Sequence, residues 1–326
     1  GIMCAAFFCM EDNLMSALIC GSLAFDNIMV FEDRFKNHIL PDKIHMLNVS
    51  FLVPALRREF GGCAGNIAYN LKMIGGQPLI MGTVGDDFDP YAQWMDTLGI
   101  ERGCIKHIQG SMTAQAFITT DLDDNQITAF HPGAMNHAAE NAVAEAGQVS
   151  IGIVAPDGRG GMIAHAAQMS EAGVPFIFDP GQGMPMFDGD DLLRFIDLAT
   201  WFTVNDYEAE LMQERTGLSA EQLAARVDAL VVTRGGEGSQ VFSNGDRIDI
   251  PAAKAAVLAD PTGCGDAYRA GLLYGLVHDL GWETTARIAS LLGAIKMEHG
   301  GTQNHRVSRE DFAARYEQEF STALSW

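Results

Sequence analysis

A regular alternation of apolar runs and helical segments in the second half of the chain constrains its fold more than any other feature. Strand-like runs occur at residues 149–155, 175–178, 201–204, 230–233 and 240–242, with helical segments around 160–172, 187–198, 206–215 and 220–228. Strands separated by helices imply a mainly parallel sheet with helices on both faces. We therefore expect a doubly wound α/β fold whose ligands bind at the carboxyl ends of the strands.

Residues 28–60 and 111–131 predict a small β-sheet lid beside the main sheet. In the first segment Pro41 and Pro54 interrupt any long helix, so short strands fit its apolar residues better. In the second segment the turn-forming stretch 121–125 separates two strand-like runs and indicates a hairpin. The apolar face of such a lid could cover a ligand or pair with a second copy of the chain, and the sequence leaves both open.

Composition narrows the class of partner. The chain has 42 acidic and 21 basic residues and a formal net charge of −21, which argues against binding to nucleic acid or to an anionic membrane surface. The apolar runs are also shorter than the roughly 18 to 20 residues that a membrane span needs. The six cysteines form no C-x-x-C pair, so we expect reduced thiols in a cytoplasmic protein. We interpret residues 15–326 as a single domain and residues 1–14 as an N-terminal extension without the features of a signal peptide.

The stretch from residue 260 to residue 281 changes from a glycine-rich loop, DPTGCGD, into an apolar helix predicted to run to the end of the stretch. Gly263 and Gly265 flank the small Cys264, so backbone N–H groups can converge there at the positive end of the helix. Such a loop can hold an anion, and Asp266 could accept a proton from a hydroxyl that attacks a phosphate. A plain loop followed by a capping aspartate would give the same pattern.

A second small-residue loop, Gly61–Asn66, opens another predicted helix. Gly62 would let the backbone approach a ligand, and the Asn66 amide can both donate and accept hydrogen bonds with vicinal hydroxyls. Close packing of helix on sheet, with Asn66 as a cap, explains the loop equally well. Asp26, which follows the first strand, is a candidate for the same site or an ordinary turn residue.

Two loops that follow later strands could serve a nucleotide. Asn205 and Glu208 would lie on one face of a helix start, where their oxygens could orient water around Mg²⁺. A capping box that needs no metal has the same spacing. The glycines after Thr233 in TRGGEG could admit a phosphate to the backbone or could form a hairpin turn. The sequence contains neither a Walker-type phosphate loop nor a G-x-G-x-x-G after the first strand.

In this order and at these separations, the four motifs resemble those of the PfkB family of ribokinase-like sugar and nucleoside kinases, over about residues 15–305. The resemblance implies a doubly wound α/β domain with a small β lid, ATP as phosphoryl donor, and Mg²⁺. It also implies that Asp266 is the catalytic base and that the backbone of Gly263, Cys264 and Gly265 is the anion hole.

The same resemblance assigns binding roles by position. Asp26, Gly62 and Asn66 match the residues that bind the acceptor hydroxyls. The nucleotide is matched by Thr233, Gly235, Gly238, Asn205 and Glu208, of which Asn205 and Glu208 would also hold Mg²⁺ through water. Asp260 and Thr262 match a site for a monovalent cation. Pro261 and Cys264 are unusual at the last of these sites, so the resemblance leaves open whether K⁺ is needed.

Two acceptor classes fit the resemblance. We favour a nucleoside kinase that phosphorylates the ribose 5′-hydroxyl of a purine nucleoside such as adenosine, because the segments around 60–66, 118–126 and 130–135 look like bacterial chains similar to adenosine kinase. Phe117, Phe130 and Met135 could offer apolar surface to the base, or could simply form the core of the lid. A sugar kinase of the ribokinase or fructokinase type is the alternative acceptor class, and a non-catalytic binding protein with this fold is a third hypothesis.

Overall fold

The computed structural model describes residues 16–39, 49–123 and 125–324. The predicted extension, residues 1–14, lies outside the described residues, as do residues 40–48 of the first lid segment. None of the helices within these ranges combines the length and the hydropathy that crossing a membrane requires. The described cysteines, Cys20, Cys63, Cys104 and Cys264, are free thiols.

The larger sheet is the framework of the molecule. Its strands are β1 (Ser16–Cys20), β4 (Gln77–Val84), β5 (Ile105–His107), β8 (Ile151–Val154), β9 (Phe176–Phe178), β10 (Trp201–Asn205), β11 (Ala229–Thr233), β12 (Ser239–Ser243) and β13 (Asp246–Ile250). They lie in the order β13-β12-β11-β10-β9-β8-β1-β4-β5. All pairings from β5 to β11 are parallel, whereas β12 and β13 form an antiparallel edge. The predicted mainly parallel sheet is confirmed.

Helices cover both faces of this sheet. They are α1 (Cys63–Met73), α2 (Asp89–Leu98), α3 (Arg159–Glu171), α4 (Gly189–Leu198), α5 (Asp206–Thr216), α6 (Ala220–Ala224), α7 (Cys264–Val277), α8 (Gly281–Met297) and α9 (Arg309–Phe320). Successive side chains of β1 enter opposite apolar clusters, with Ala17 and Ile19 in one and Leu18 and Cys20 in the other. The central strand is therefore buried on both sides, as a doubly wound fold requires.

The helix after the DPTGCGD loop is shorter than its apolar pattern predicts. It ends at Val277, because Asp279 adopts a left-handed conformation with φ of 52°. The N–H groups of Asp279 and Leu280 then donate to carbonyls of the last helical turn, which closes the helix end as a Schellman motif. Leu280 still packs against the core, which explains why the apolar spacing continues across the turn.

A smaller, separate sheet stands at the carboxyl edge of the larger one, as predicted for the lid. Its strands are β2 (Ala24–Val30), β3 (Leu56–Gly61), β6 (Ala114–Thr120) and β7 (Gln126–His131), in the order β3-β2-β6-β7. Only three residues separate β1 from β2, and β3 leads through Gly62 directly into α1. The lid is therefore connected to the main sheet beside its central strand.

Candidate active site

Two helices begin near one another, each after a glycine with positive φ. Gly62 precedes α1 with φ of 85°, and Gly263 precedes α7 with φ of 82°. The side chains of Asn66 and Asp266 join the two helix starts, because Asn66 Nδ2 donates to Asp266 Oδ2 at 2.8 Å. Asn66 is thus a buried residue inside α1 and not its cap. The two loops, far apart in sequence, form one site.

Asp266 is the third residue of α7, and its carboxylate makes no capping hydrogen bond to the helix. Burial raises the pKa of Asp266 to about 6, although the hydrogen bond from Asn66 acts in the opposite direction. At pH 7 the carboxylate is therefore mostly ionised. It is placed and charged as a general base must be.

The backbone N–H groups at the start of α7 are partly free. The Cys264 N–H donates to the Pro261 carbonyl at 3.1 Å. Across the part of the chain that the structure describes, the N–H groups of Gly263, Gly265 and Asp266 have no protein acceptor. They lie at the positive end of a 14-residue helix. An anion would therefore meet Gly263, Gly265 and Asp266, while Cys264, predicted as a donor, is already occupied.

Asp26 lies on lid strand β2, in register with Glu59 of β3. Burial, and then the nearby carboxylates of Glu59 and Asp260, raise the pKa of Asp26 to about 6. A Cβ atom at Gly61 would lie 2.5 Å from Asp26 Oδ2, so glycine at that position leaves room for the carboxylate. The lid thus presents Asp26 toward the Asp260 loop.

The register of the lid strands separates two phenylalanines that the sequence grouped together. Asp26 pairs with Ala116, and Ala116 pairs with Phe130, so Phe130 shares the face of Asp26. Phe117 is one residue further along β6 and lies on the opposite face. Phe117 therefore does not share a face with Asp26, although the sequence grouped it with Phe130 as possible apolar surface for the base. Phe130 stays a candidate, and Met135 lies in the 3₁₀ helix Gly133–Glu140 that follows the lid.

The Asn205 and Glu208 motif forms the capping box of α5. Asn205 Oδ1 accepts from the Glu208 N–H at 2.7 Å, and Glu208 Oε2 accepts from the Asn205 N–H at 2.9 Å. The other carboxylate oxygen of Glu208 has no hydrogen-bond partner among the described residues. Burial raises the pKa of Glu208, and the carboxylate of Asp179 adds to this effect. The capping role is observed, and the Mg²⁺ role stays a prediction.

The Thr233–Gly238 loop is a hairpin turn between β11 and β12. Gly238 has φ of 88°, and a Cβ there would collide with the backbone around Pro251, so packing requires this glycine. Gly235 has φ of 52° and borders open space. Thr233 is in register with Asn205, which puts this loop beside α5 at the same edge of the sheet. Its contact with a nucleotide stays a prediction.

The predicted cation residues, Asp260 and Thr262, are hydrogen-bonded within the protein. Asp260 Oδ1 accepts from the Thr262 N–H at 2.9 Å, and Asp260 Oδ2 accepts from the Gly301 N–H at 2.8 Å. Burial alone would raise the pKa of Asp260, but these backbone hydrogen bonds lower it overall. The Asp260 carbonyl accepts from Lys296 Nζ at 2.8 Å.

Sequence reasoning missed two polar side chains of the site. Arg269, one turn after Asp266, donates to both carboxylate oxygens of Asp179, at 2.9 and 3.1 Å, and both side chains are buried. An arginine inside the otherwise apolar run after DPTGCGD was the available signal. Gln303 donates to Asn66 Oδ1 at 3.1 Å and so orients the amide that meets Asp266. No pattern in the sequence indicated that contact.

Comparisons with known proteins show which family the chain is similar to. The family model for pfkB family carbohydrate kinases matches residues 27–309. A nucleoside kinase of Methanocaldococcus jannaschii is 30% identical over 272 residues, which cover 83% of this chain and 89% of that protein. The structure of Burkholderia thailandensis nucleoside kinase in complex with inosine has a TM-score of 0.86 and 51% identity, covering 94% of this chain and 99% of that chain. The same kinase in complex with ADP-inosine has a TM-score of 0.84 and 52% identity, covering 95% of this chain and 97% of that chain.

Proposed function

The chain belongs to the pfkB family of carbohydrate kinases, and from its similarity to nucleoside kinases of this kind we propose that it is an ATP-dependent nucleoside kinase. As a member of the family it is a phosphotransferase with an alcohol group as acceptor. The proposed acceptor is the ribose 5′-hydroxyl of a purine nucleoside, with adenosine and inosine as candidates. The observation that carries the proposal is the Asn66–Asp266 hydrogen bond, which joins an amide suited to ribose hydroxyls to a base at an open helix start.

Asp266 is the proposed general base. Its carboxylate accepts the proton of the 5′-hydroxyl while that oxygen attacks the γ-phosphorus of ATP. The new O–P bond forms as the bond from the γ-phosphorus to the bridging oxygen breaks, and ADP leaves. The free N–H groups of Gly265 and Asp266, together with the helix dipole, stabilise the negative charge on the transferring group. Positioning and charge stabilisation are most of what phosphoryl transfer asks of a protein.

The acceptor would be held between the lid and α1. The Asp26 carboxylate can accept hydrogen bonds from a vicinal diol, and the Asn66 amide can donate one. On the Asp26 face of the lid, Ile28, Ile118 and Phe130 offer apolar surface that a free sugar would leave uncovered and a purine could contact. This apolar surface, and the half-identical kinase solved with inosine, favour a nucleoside over a free sugar.

Glu208 is the proposed anchor for Mg²⁺. Its unpartnered carboxylate oxygen and its position at a helix start beside the Thr233–Gly238 loop fit an ion held mainly through water. When bound with ATP, Mg²⁺ neutralises charge on the phosphates.

A coupled assay of ADP release tests the acceptor class. We expect turnover with adenosine or inosine, with kcat/KM at least about 100-fold above that for free ribose or fructose, since a missing base removes buried contacts. Mass spectrometry should identify a nucleoside 5′-monophosphate. Turnover restricted to free sugars would favour the sugar-kinase alternative and contradict the proposal.

The pH profile tests the base assignment. Because burial raises the pKa of Asp266 to about 6, kcat/KM should fall as the pH drops below about 6, where the base becomes protonated. Asp26 has a similar pKa, so D26N provides the control. If the residual kcat/KM of D26N still falls below about pH 6, the result supports Asp266 as the titrating base. If kcat/KM of D26N no longer falls at acidic pH, the titrating group is Asp26 instead.

The opposite face of the lid suits a second copy of the chain. Leu56, Phe117 and Ile127 lie on this face, 67%, 42% and 45% exposed. We propose a homodimer through this face, because exposed apolar side chains in one patch are typical of interfaces. Sedimentation should give a dimer that F117S/I127S converts to a monomer with an unchanged circular dichroism spectrum. A monomeric wild type would contradict the interface.

A further inference from the structure

The side chain of Lys296, in the last turn of α8, ends inside the protein beside the Asp260 loop. It is 0% exposed. Its ammonium group donates to the backbone carbonyls of Asp260, at 2.8 Å, and His299, at 3.0 Å. A buried charge persists only where polar groups replace its water shell, and these two carbonyls do so.

The two carbonyls belong to the segments that hold the start of α7. Asp260 begins the loop that leads to Gly263 and Asp266, and His299 follows α8 in the turn that continues to Thr302. The Asp260 carboxylate links the same two segments through the Thr262 and Gly301 N–H groups. Lys296 therefore stabilises the beginning of the loop that carries the free N–H groups.

This arrangement does not fit the monovalent cation that the family resemblance implied at Asp260 and Thr262. Backbone carbonyl oxygens are the ligands that bind K⁺. Here the Asp260 carbonyl is bound to an ammonium group with the same single charge, and both Asp260 carboxylate oxygens accept backbone N–H groups. A K⁺ ion placed against that carbonyl would meet the Lys296 ammonium and be repelled.

We propose that Lys296 is a positioning residue that replaces the monovalent cation, so that phosphoryl transfer by this protein does not depend on K⁺. The inference rests on the proposed kinase activity but not on the identity of the acceptor. The lysine supplies its charge covalently, and the loop that carries Gly265 and Asp266 is ordered without an ion from solution.

The wild-type protein provides the first test. We expect kcat to differ by less than about 2-fold between buffers containing K⁺, Na⁺ or tetramethylammonium at equal ionic strength. The thermal midpoint of the protein without substrates should likewise be the same with K⁺ and with tetramethylammonium. A K⁺ activation of about 10-fold or more, or a K⁺-specific rise of the midpoint, would overturn the proposal.

Two substitutions provide the second test. K296A opens space beside the carbonyls, and we expect kcat to fall on the order of 10-fold and to be rescued by K⁺ or NH₄⁺. K296M fills the space with an apolar chain and should lose activity without rescue. K72A, at a partly exposed lysine of α1, serves as the control and should show neither effect. Full activity of K296A in tetramethylammonium would contradict the proposal.

The thermal midpoints test the role of Lys296 independently of which acceptor the protein phosphorylates. K⁺ should raise the thermal midpoint of K296A but not that of K296M or the wild type, and no substrate is needed for this readout. If no nucleoside is phosphorylated but the midpoints behave as expected, the proposed function fails and the role of Lys296 stands. If K296A does not fold in any of the buffers, the wild-type comparison decides alone.

Discussion

The starts of α1 and α7 use the same sequence device, a small-residue loop with a glycine before a helix, for different ends. At α1 the Cys63 N–H donates to Ser22 Oγ at 3.1 Å, and the Ala64 N–H donates to the Ser22 carbonyl at 3.0 Å. At α7 the N–H groups of Gly265 and Asp266 have no acceptor within the described ranges. Because the protein accepts hydrogen bonds from the first two N–H groups of α1, we call that start closed, although its Gly65 N–H has no acceptor among the described residues. The α7 start is open to an anion. A glycine before a helix thus indicates a ligand site only where the N–H groups remain unsatisfied.

The two glycines themselves differ in the same way. A Cβ atom at Gly62 would lie 2.5 Å from the Ser22 carbonyl oxygen and 2.6 Å from the Ala24 nitrogen, both backbone atoms. A Cβ atom at Gly263 would lie nearest to the side chain of Thr302, at 3.1 Å, with the closest backbone atom, the Thr302 Cα, at 3.6 Å. Gly62 is therefore required by packing against the link between β1 and β2. Gly263 is required mainly by its backbone conformation.

The largest effect should come from removing the base at the open start. D266N keeps the shape of the side chain, so we expect kcat to fall about 10²- to 10⁴-fold without loss of fold. Because the folded protein raises the pKa of Asp266 to about 6, its ionised form is disfavoured by folding above that pH. D266N should therefore be at least as stable as the wild type at pH 8. Steady-state kinetics and calorimetry measure both, and an unimpaired kcat would show that the base is elsewhere.

A matched pair of glycine substitutions tests the difference in packing. G62A should lower the free energy of unfolding by about 3 kcal/mol or more, since both backbone strain and a collision with backbone atoms oppose the methyl group. G263A should cost about 1 kcal/mol, since strain acts with only a side chain nearby. Urea unfolding at equilibrium provides the comparison. If G62A and G263A lower the free energy of unfolding equally, the two helix starts do not differ in packing as described.

A methyl group at the open start should affect ATP more than stability. Gly265 is the second residue of α7, and a Cβ there meets Arg269 at 3.4 Å. We expect G265A to change the free energy of unfolding by less than about 1 kcal/mol and to lower kcat/KM for ATP about 10-fold by crowding the phosphate. Gly160 is the second residue of α3 with its nearest contact also at 3.4 Å, so G160A is the matched control. An equal kinetic change in both variants would contradict an anion site.

The smallest effect should come from the closed start. S22A removes the acceptor of the Cys63 N–H and should cost about 1 kcal/mol of stability, while kcat changes less than about 2-fold. Thermal unfolding and steady-state kinetics give the two values. A kinetic loss larger than that of G265A would place the functional anion at α1 instead.

The sequence predicted the architecture because the determining signals are local. The alternation of strands and helices, the proline-interrupted lid segment and the hairpin punctuation each follow from short-range periodicity. The convergence of Asn66 and Asp266 was predictable from the family resemblance, since the carboxyl edge of a parallel sheet collects such loops.

The rest depended on pairing and burial, which a single sequence does not encode locally. The face of Phe117 follows from the register of β6 with β2, and one residue of offset reverses it. A lysine at the end of a helix, such as Lys296, ordinarily extends into solvent and complements the helix dipole. Its burial depends on carbonyls from two distant loops. Gln303 likewise meets Asn66 only after the chain has folded.

The central place of β1 also has a consequence for how the nascent chain folds. Ala17 pairs with Ile151, so β1 leaves the ribosome well before β8, one of its two neighbours, has been made. The apolar cluster on one face joins residues as far apart as Ala17 and Tyr316. Long sequence separation of this kind slows folding and leaves apolar strand surface exposed during translation. Production of this protein should therefore respond to slower synthesis or to added chaperones more than that of a protein built from local helical hairpins.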